Sequence, residues 1–156
     1  MPKTARGPAT ARAAELTAAL KQAGLRLTPQ RLAVCTALAG NRTHPTAQAL
    51  YESLQPRFTT LSRATVYNTL QALVAAGLIH ELGTAGDGAI HYDADPTPHV
   101  NLVCVCCHRV EDFAAAPLAA VADSVARGSG YDVQGARVVY YGVCPQCRRA
   151  RPKARV

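Results

Sequence analysis

Apolar residues recur with helical spacing through the first half of the chain and in short strand-like runs through the second. From Arg12 to Ala23 they fall at Leu16, Ala19, Leu20 and Ala23, one stripe of a helix that Gly24 stops. Thr28 is a good N-cap and Pro29 a good first residue for a second helix, whose apolar face is Leu32-Ala33, Cys35-Thr36 and Leu38-Ala39 and which Gly40 and Asn41 end. Thr43-His44-Pro45-Thr46 is a further start signal, followed by the stripe Ala47, Leu50, Tyr51 and Leu54 and closed by Gln55-Pro56. Ser62 caps a helix from Arg63 to Ala76 with Val66, Leu70, Leu73 and Val74 facing inward and Gly77 as terminator.

The periodicity then changes. Leu78–Leu82 and Ala89–Tyr92 are two extended runs around a glycine-rich stretch, Gly83 to Gly88, and predict a β-hairpin. Short helices followed by a hairpin make a winged helix-turn-helix. Asp95-Pro96-Thr97-Pro98 marks a linker. Beyond it, Val100–Cys104 and Arg109–Phe113 predict strands, Pro117–Ala126 a helix with Leu118, Val121 and Val125 inside, and Tyr131–Val143 a strand centred on Val138-Val139-Tyr140-Tyr141. The fold class expected is α+β, in five parts: a disordered basic tail at 1–11, a winged-helix domain at 12–93, a hinge at 94–99, a small α/β domain at 100–147 and a basic tail at 148–156.

Charge sharpens this division. Lys3, Arg6 and Arg12 stand in the first twelve residues, and Arg148, Arg149, Arg151, Lys153 and Arg155 in the last nine, with no acid among either set. Residues 84–147, by contrast, hold three basic and seven acidic side chains. The first half and the tails suit a polyanion, the second half a cation; basic tails also serve simply to solubilise. With 156 residues, 49% of them apolar, the chain can build one domain or two small ones. No run is long and apolar enough to span a bilayer, and the basic start lacks the apolar core of a secretory signal, so a cytoplasmic location is expected.

In a reducing cytosol, clustered cysteines point to metal or redox chemistry more than to structural disulfides. Cys104-x-x-Cys107 and Cys144-x-x-Cys147 are two knuckles in one small domain, each at a strand end, and together offer zinc four soft ligands in a closed, structural shell. A pair of redox motifs is the competing reading. Cys106, beside the first knuckle, is expected on the opposite strand face, and Cys35, on an apolar helix face, is a core thiol. No nucleophile–base pair or open zinc site is evident, so no enzymatic role is expected.

Ser62 to Leu70 occupies the place of a recognition helix. Arg63, Tyr67 and Asn68 project from its exposed side near the N-terminus, with Thr65 beside them, and such side chains read base edges or hold phosphates. An ordinary capped amphipathic helix has the same spacing. His44, Asp93, His99 and Asp112 stand at element ends and form a mixed nitrogen and oxygen set suited to Fe(II), Mn(II) or Zn(II), although spacing alone does not assemble them. His80 and His108 carry no such signal.

Gly24-Leu-Arg26-Leu-Thr28-Pro29-Gln30-Arg31, His44-Pro-Thr46-Ala, Ala64-Thr-Val-Tyr67-Asn68, Gly77-Leu, Cys104-x-x-Cys107 and Tyr141-Gly142-x-Cys144-x-x-Cys147 together resemble, in order and spacing, the ferric uptake regulator family. The likeness runs from about Leu16 to Cys147. It implies a homodimeric, metal-dependent repressor of double-stranded operator DNA, with an N-terminal winged helix and a C-terminal α/β dimerisation domain. It also implies a structural zinc on the four cysteines and a sensed metal bound by His44, Asp93, His99 and Asp112. Ligands drawn from both sides of the hinge would then favour one closed geometry of the dimer.

Within the family, zinc sensors usually carry Cys at the position of Asp93, and iron sensors usually carry Glu at the positions of Asp93 and Asp112. Two Asp with Thr-Val-Tyr-Asn look more like the peroxide-sensing branch, in which a bound Fe(II) reacts with peroxide and a ligating histidine, here His44 or His99, is oxidised; Mn(II) would give a peroxide-insensitive repressor. The chain departs from the pattern at Asn101, where the family normally has His, and at Gln134-Gly135-Ala136, where a second family site has one. Asn101 itself or His91 could supply a fifth ligand, or sensing could be weakened. Three functions follow: a peroxide-responsive repressor, an iron or manganese homeostasis repressor without peroxide chemistry, and a thiol switch acting through the four cysteines.

Overall fold

The computed structural model of the chain describes residues 8–95, 97, 99–114, 118–133 and 136–150. The basic stretches 1–7 and 151–156, Pro96 and Pro98 of the expected hinge, the helix start at Pro117, and Gln134-Gly135 lie outside the described residues. The elements run α1 (Ala9–Gln22), α2 (Pro29–Gly40), α3 (Ala47–Leu54), α4 (Arg63–Ala75), β1 (His80–Thr84), β2 (Ile90–Asp93), β3 (Val100–Cys104), β4 (Val110–Phe113), α5 (Leu118–Ser129), β5 (Val138–Gly142) and α6 (Pro145–Ala150). They form two compact units, the first within residues 5–84 and 88–96, the second within 85–87 and 97–156.

The first unit is a winged helix-turn-helix. Thr28, Thr46 and Ser62 each accept a hydrogen bond from the backbone N–H three residues on, at 3.3, 3.1 and 3.1 Å, so three of its four helices open on the expected hydroxyl caps. Helix α1 starts earlier than its apolar stripe suggests. Small helix formers follow Pro8, whose carbonyl accepts from the N–H groups of Ala11 and Arg12, and this adds a turn at Ala9. Leu16, Leu20, Val34, Leu38, Leu50, Val66, Leu70 and Leu73 are buried together, joined by Ile79 and Tyr92. Fully burying each such aliphatic side chain is worth about 1.5–3 kcal/mol. Leu32, expected on the buried face of α2, lies exposed at its edge, and Val34 takes the central place.

The hairpin is antiparallel, with His80 opposite Asp93, Glu81 opposite Tyr92, and an irregularity between Glu81 and Thr84. Its first strand begins two residues later than expected because Leu78 and Ile79 pack into the helical core rather than into the ladder. Arg12 of α1 ties both ends of the hairpin down. Its guanidinium donates to the Leu78 carbonyl before β1 and, at 3.0 Å, to the Ala94 carbonyl after β2, while pairing with Glu15 at 2.7 Å.

The second unit is a three-stranded sheet in the order β4-β3-β5, antiparallel between β3 and β4 and parallel between β3 and β5. A parallel pair requires a long connection, and α5 lies in it. Val100, Val103, Cys104 and Val110 are the buried apolar residues of its strands, joined by Ala85. Two expectations change here. Val121 and Val125 of α5 are 56% and 51% exposed rather than inside, since nothing described in the chain covers their side of the helix. The long final strand is confined to Val138–Gly142; Tyr131 to Val133 precede it as irregular chain, held at Tyr131 by a hydrogen bond from its N–H to the Ser129 hydroxyl.

Candidate metal centres

The parallel register explains the first centre. Val100 to Cys104 run alongside Val138 to Gly142 and end at the same level, so the residues that leave the two strands emerge side by side. The Val105 N–H donates to the Gly142 carbonyl at 2.8 Å, and the chain turns back as the His108 N–H donates to the Cys104 carbonyl at 2.9 Å. Cys107 lies in that turn, Cys144 follows β5, and Cys147 stands in α6. The four sulfurs all lie within 4.8 Å of one another. Cys107 Sγ and Cys144 Sγ are 3.8 Å apart, which matches the edge of about 3.8 Å expected for a tetrahedron with Zn–S bonds of about 2.3 Å.

The electrostatics of the cluster call for a cation. Backbone N–H groups, first that of Cys144 at 3.3 Å, pull the Cys104 thiol down to about 5, and the Cys147 N–H helps to lower Cys144. The neighbouring Cys144 and Cys107 sulfurs push Cys147 up to about 12. The metal-free cluster therefore favours the thiolate at Cys104 and the protonated thiol at Cys147, whose hydrogen bonds to the neighbouring sulfurs hold its proton. A divalent metal is the natural occupant of four converging thiols. Cys106 is exposed in the turn. Strand alternation, invoked above to set it aside, does not apply there, because β3 ends at Cys104.

In the first unit, His44 and Asp93 come together, His44 Nε2 to Asp93 Oδ1 being 3.7 Å, with both side chains buried. His44 sits in the left-handed region at φ 51°, an unusual place for a side chain of its size. β2 holds it there. The His91 ring N–H donates to the His44 carbonyl at 2.7 Å, the Tyr92 N–H donates to the Pro45 carbonyl at 3.1 Å, and Thr46 forms a bridge with His91. Sequence reasoning put His91 forward as a ligand and did not foresee this contact. Asp93 also receives the Asp95 N–H at 2.8 Å, which orients its carboxylate.

In the second unit, His99 Nε2 lies 3.3 Å from Asp112 Oδ1, while the His99 Nδ1–H donates to the Thr97 carbonyl at 2.7 Å. That second contact fixes the tautomer that leaves Nε2 as a donor atom for a metal. Asn101 stands directly across the β3–β4 ladder from Asp112 and is buried, and its amide oxygen has no hydrogen-bond partner. Each unit thus brings together one imidazole and one carboxylate of the expected set, a donor combination suited to Fe(II) or Mn(II).

On α4, Arg63, Tyr67 and Asn68 are exposed as expected. Arg63 stacks over the Tyr51 ring at 5.2 Å, and the Thr65 hydroxyl lies 2.9 Å from that of Ser62. Cys35 is buried, and desolvation pushes its thiol up to about 11, as befits a core residue. His108 donates from its ring to the Ala85 carbonyl at 2.8 Å within the second unit. Among the described residues no helix is long and apolar enough to cross a membrane.

Comparison with known proteins agrees with this geometry. The family model described as "Ferric uptake regulator family" matches residues 22–141. The chain is 37% identical over 134 residues to the peroxide-responsive repressor PerR of Staphylococcus aureus, covering 86% of this chain and 90% of that one. Its fold is similar to that of the Campylobacter jejuni peroxide stress regulator, with a TM-score of 0.69 and 30% identity over 82% of this chain and 96% of that one. It is also similar to the ferric uptake regulator of Pseudomonas aeruginosa with manganese, with a TM-score of 0.67 and 28% identity over the same shares of the two chains.

Proposed function

The chain belongs to the ferric uptake regulator family, and we propose that it is a cytoplasmic, dimeric repressor whose hold on operator DNA depends on Fe(II) or Mn(II) and is released by peroxide. The observation that carries this reading is the assembly of His44 with Asp93 and of His99 with Asp112, two buried imidazole–carboxylate pairs in a chain that gathers four of its six cysteines into a separate cluster. The four side chains would hold the sensed metal, and Cys104, Cys107, Cys144 and Cys147 a structural zinc. Two ligands come from each unit. Metal occupancy therefore biases the arrangement in which both recognition helices meet successive major grooves. Arg63, Tyr67 and Asn68, with Thr65 beside them, are the residues offered to DNA. The exposed stripe of Val121 and Val125 and the exposed Tyr140 and Tyr141 supply apolar surface for a second copy.

When bound, Fe(II) supplies the reaction with peroxide. His44 and His99 are the imidazoles that would be held against it and oxidised, one peroxide oxygen going to the ring and the other leaving as water, so that the altered ring would bind the ion less well beside its carboxylate. The test is mass spectrometry of peptides after peroxide treatment of the Fe(II)- and Mn(II)-loaded protein. One added oxygen on a peptide containing His44 or His99, with iron only, is the expected result; no such product in either form removes the peroxide reading. A second reading, an iron or manganese homeostasis repressor without peroxide chemistry, is favoured by one observation, the amide of Asn101 where the relatives' pattern has an imidazole. Disulfides among the four cysteines with unmodified histidines would point instead to a thiol switch.

A further inference from the structure

Asn101 is 3% exposed, and its amide oxygen finds no hydrogen-bond partner. A buried carbonyl oxygen without a donor is costly, and such atoms are rare unless something not yet placed satisfies them. The surroundings indicate what that is. Asn101 pairs across the ladder with Asp112, so the two side chains leave the same face of the sheet. His99 is two residues before Asn101, and its Nε2 lies 3.3 Å from Asp112 Oδ1. An imidazole nitrogen, a carboxylate and an unsatisfied amide oxygen therefore stand together within one unit.

We propose that the Asn101 amide oxygen is a ligand of the ion held by His99 and Asp112, and that it biases the site toward oxygen-preferring Mn(II) and away from nitrogen-preferring ions such as Co(II). This rests on the regulatory-site reading above and deepens it. An amide oxygen is a hard, neutral donor, at home around oxygen-seeking cations. An imidazole in its place would add a nitrogen whose benefit grows along the series from Mn(II) through Fe(II) to Co(II). With two imidazoles, two carboxylates and one amide, the set is richer in oxygen than in nitrogen, and Mn(II) loses least by that exchange.

The test uses the full chain with zinc on its cysteines and reads Mn(II) and Co(II) affinities by competition with a fluorescent chelator. The variants are Asn101→Leu, Asn101→His and His99→Ala, each also melted without added Mn(II) or Co(II). Asn101→Leu is expected to weaken Mn(II) about 10-fold, on the scale of losses at supporting positions of metal sites, with no fall in the metal-free melting temperature. Asn101→His is expected to strengthen Co(II) at least about 10-fold more than Mn(II), following the order of nitrogen preference. Unchanged Mn(II) affinity in Asn101→Leu, with a loss in His99→Ala, overturns the role of Asn101 alone. Should Asn101→Leu fail to fold, an unaltered Co(II) to Mn(II) ratio in Asn101→His overturns it equally. If His99→Ala changes neither affinity, the regulatory-site reading itself fails and takes this proposal with it.

Discussion

Buried side chains can act by holding the backbone of a neighbour as well as through their own chemistry. His91 is such a residue: it donates to the His44 carbonyl and so helps to keep His44 at a positive φ, a conformation that costs about 1–3 kcal/mol elsewhere in proteins. Replacing it by Phe removes the donor and keeps the bulk. The expected result is a loss of about 10-fold in Mn(II) affinity, measured by titration calorimetry, with a smaller loss for His91→Gln, which retains a donor. Equal affinities in all three proteins would mean that the strap does not position His44. At this scale the sequence was legible where chemistry is local. The two C-x-x-C knuckles announce themselves by spacing, and Cys35 by its place on an apolar face. The strap made by His91 escaped notice because its partner is a backbone carbonyl 47 positions away, and main-chain acceptors leave no mark in a sequence.

Whole elements were legible to the extent that capping chemistry marks them. Thr28 and Ser62 fixed two helix starts to the residue and Thr43 to Thr46 marked a third within four, whereas β1 slid two positions because Leu78 and Ile79 serve the helical core. The valines of α5 show the opposite failure: their periodicity gave the helix correctly, but a stripe cannot say whether its own chain will cover it. Arg12 escaped notice as one basic residue among several near the start. It joins α1 to both ends of the hairpin, and one of its acceptors, Ala94, is the residue after Asp93. Hydrogen bonds from a charged donor contribute about 1.5–3 kcal/mol each, and Glu15 offsets little because that side chain is exposed. Arg12→Met should therefore lower the stability of the first unit by about 2 kcal/mol, read as a shift in urea midpoint at unchanged slope. A shift below about 0.5 kcal/mol, the usual range for surface changes, would mean that α1 packing alone holds the hairpin.

At the scale of the whole molecule, the two units differ in what keeps them folded. The first has a core drawn from four helices; the second buries only Ala85, Val100, Val103, Val110 and Cys104 among its described apolar residues. So small a core needs a staple, and the four sulfurs supply its ligands. Removing zinc with a strong chelator under reducing conditions should abolish the cooperative melting of the second unit and leave the helical circular dichroism of the first largely in place. A single unchanged transition would show that the sheet stands without metal.

The parallel pairing of β3 with β5 also has a consequence in time. Cys104 and Cys107 leave the ribosome about forty residues before Cys144 and Cys147, and domains fold as they emerge, the N-terminal one first. The helices and hairpin can therefore be complete while half of the zinc cluster has yet to be synthesised. A nascent or truncated chain that stops before Cys144 would carry a formed winged helix, with its recognition residues, joined to a second unit that zinc cannot close. Closure of the second unit by zinc therefore waits on the synthesis of Cys144 and Cys147.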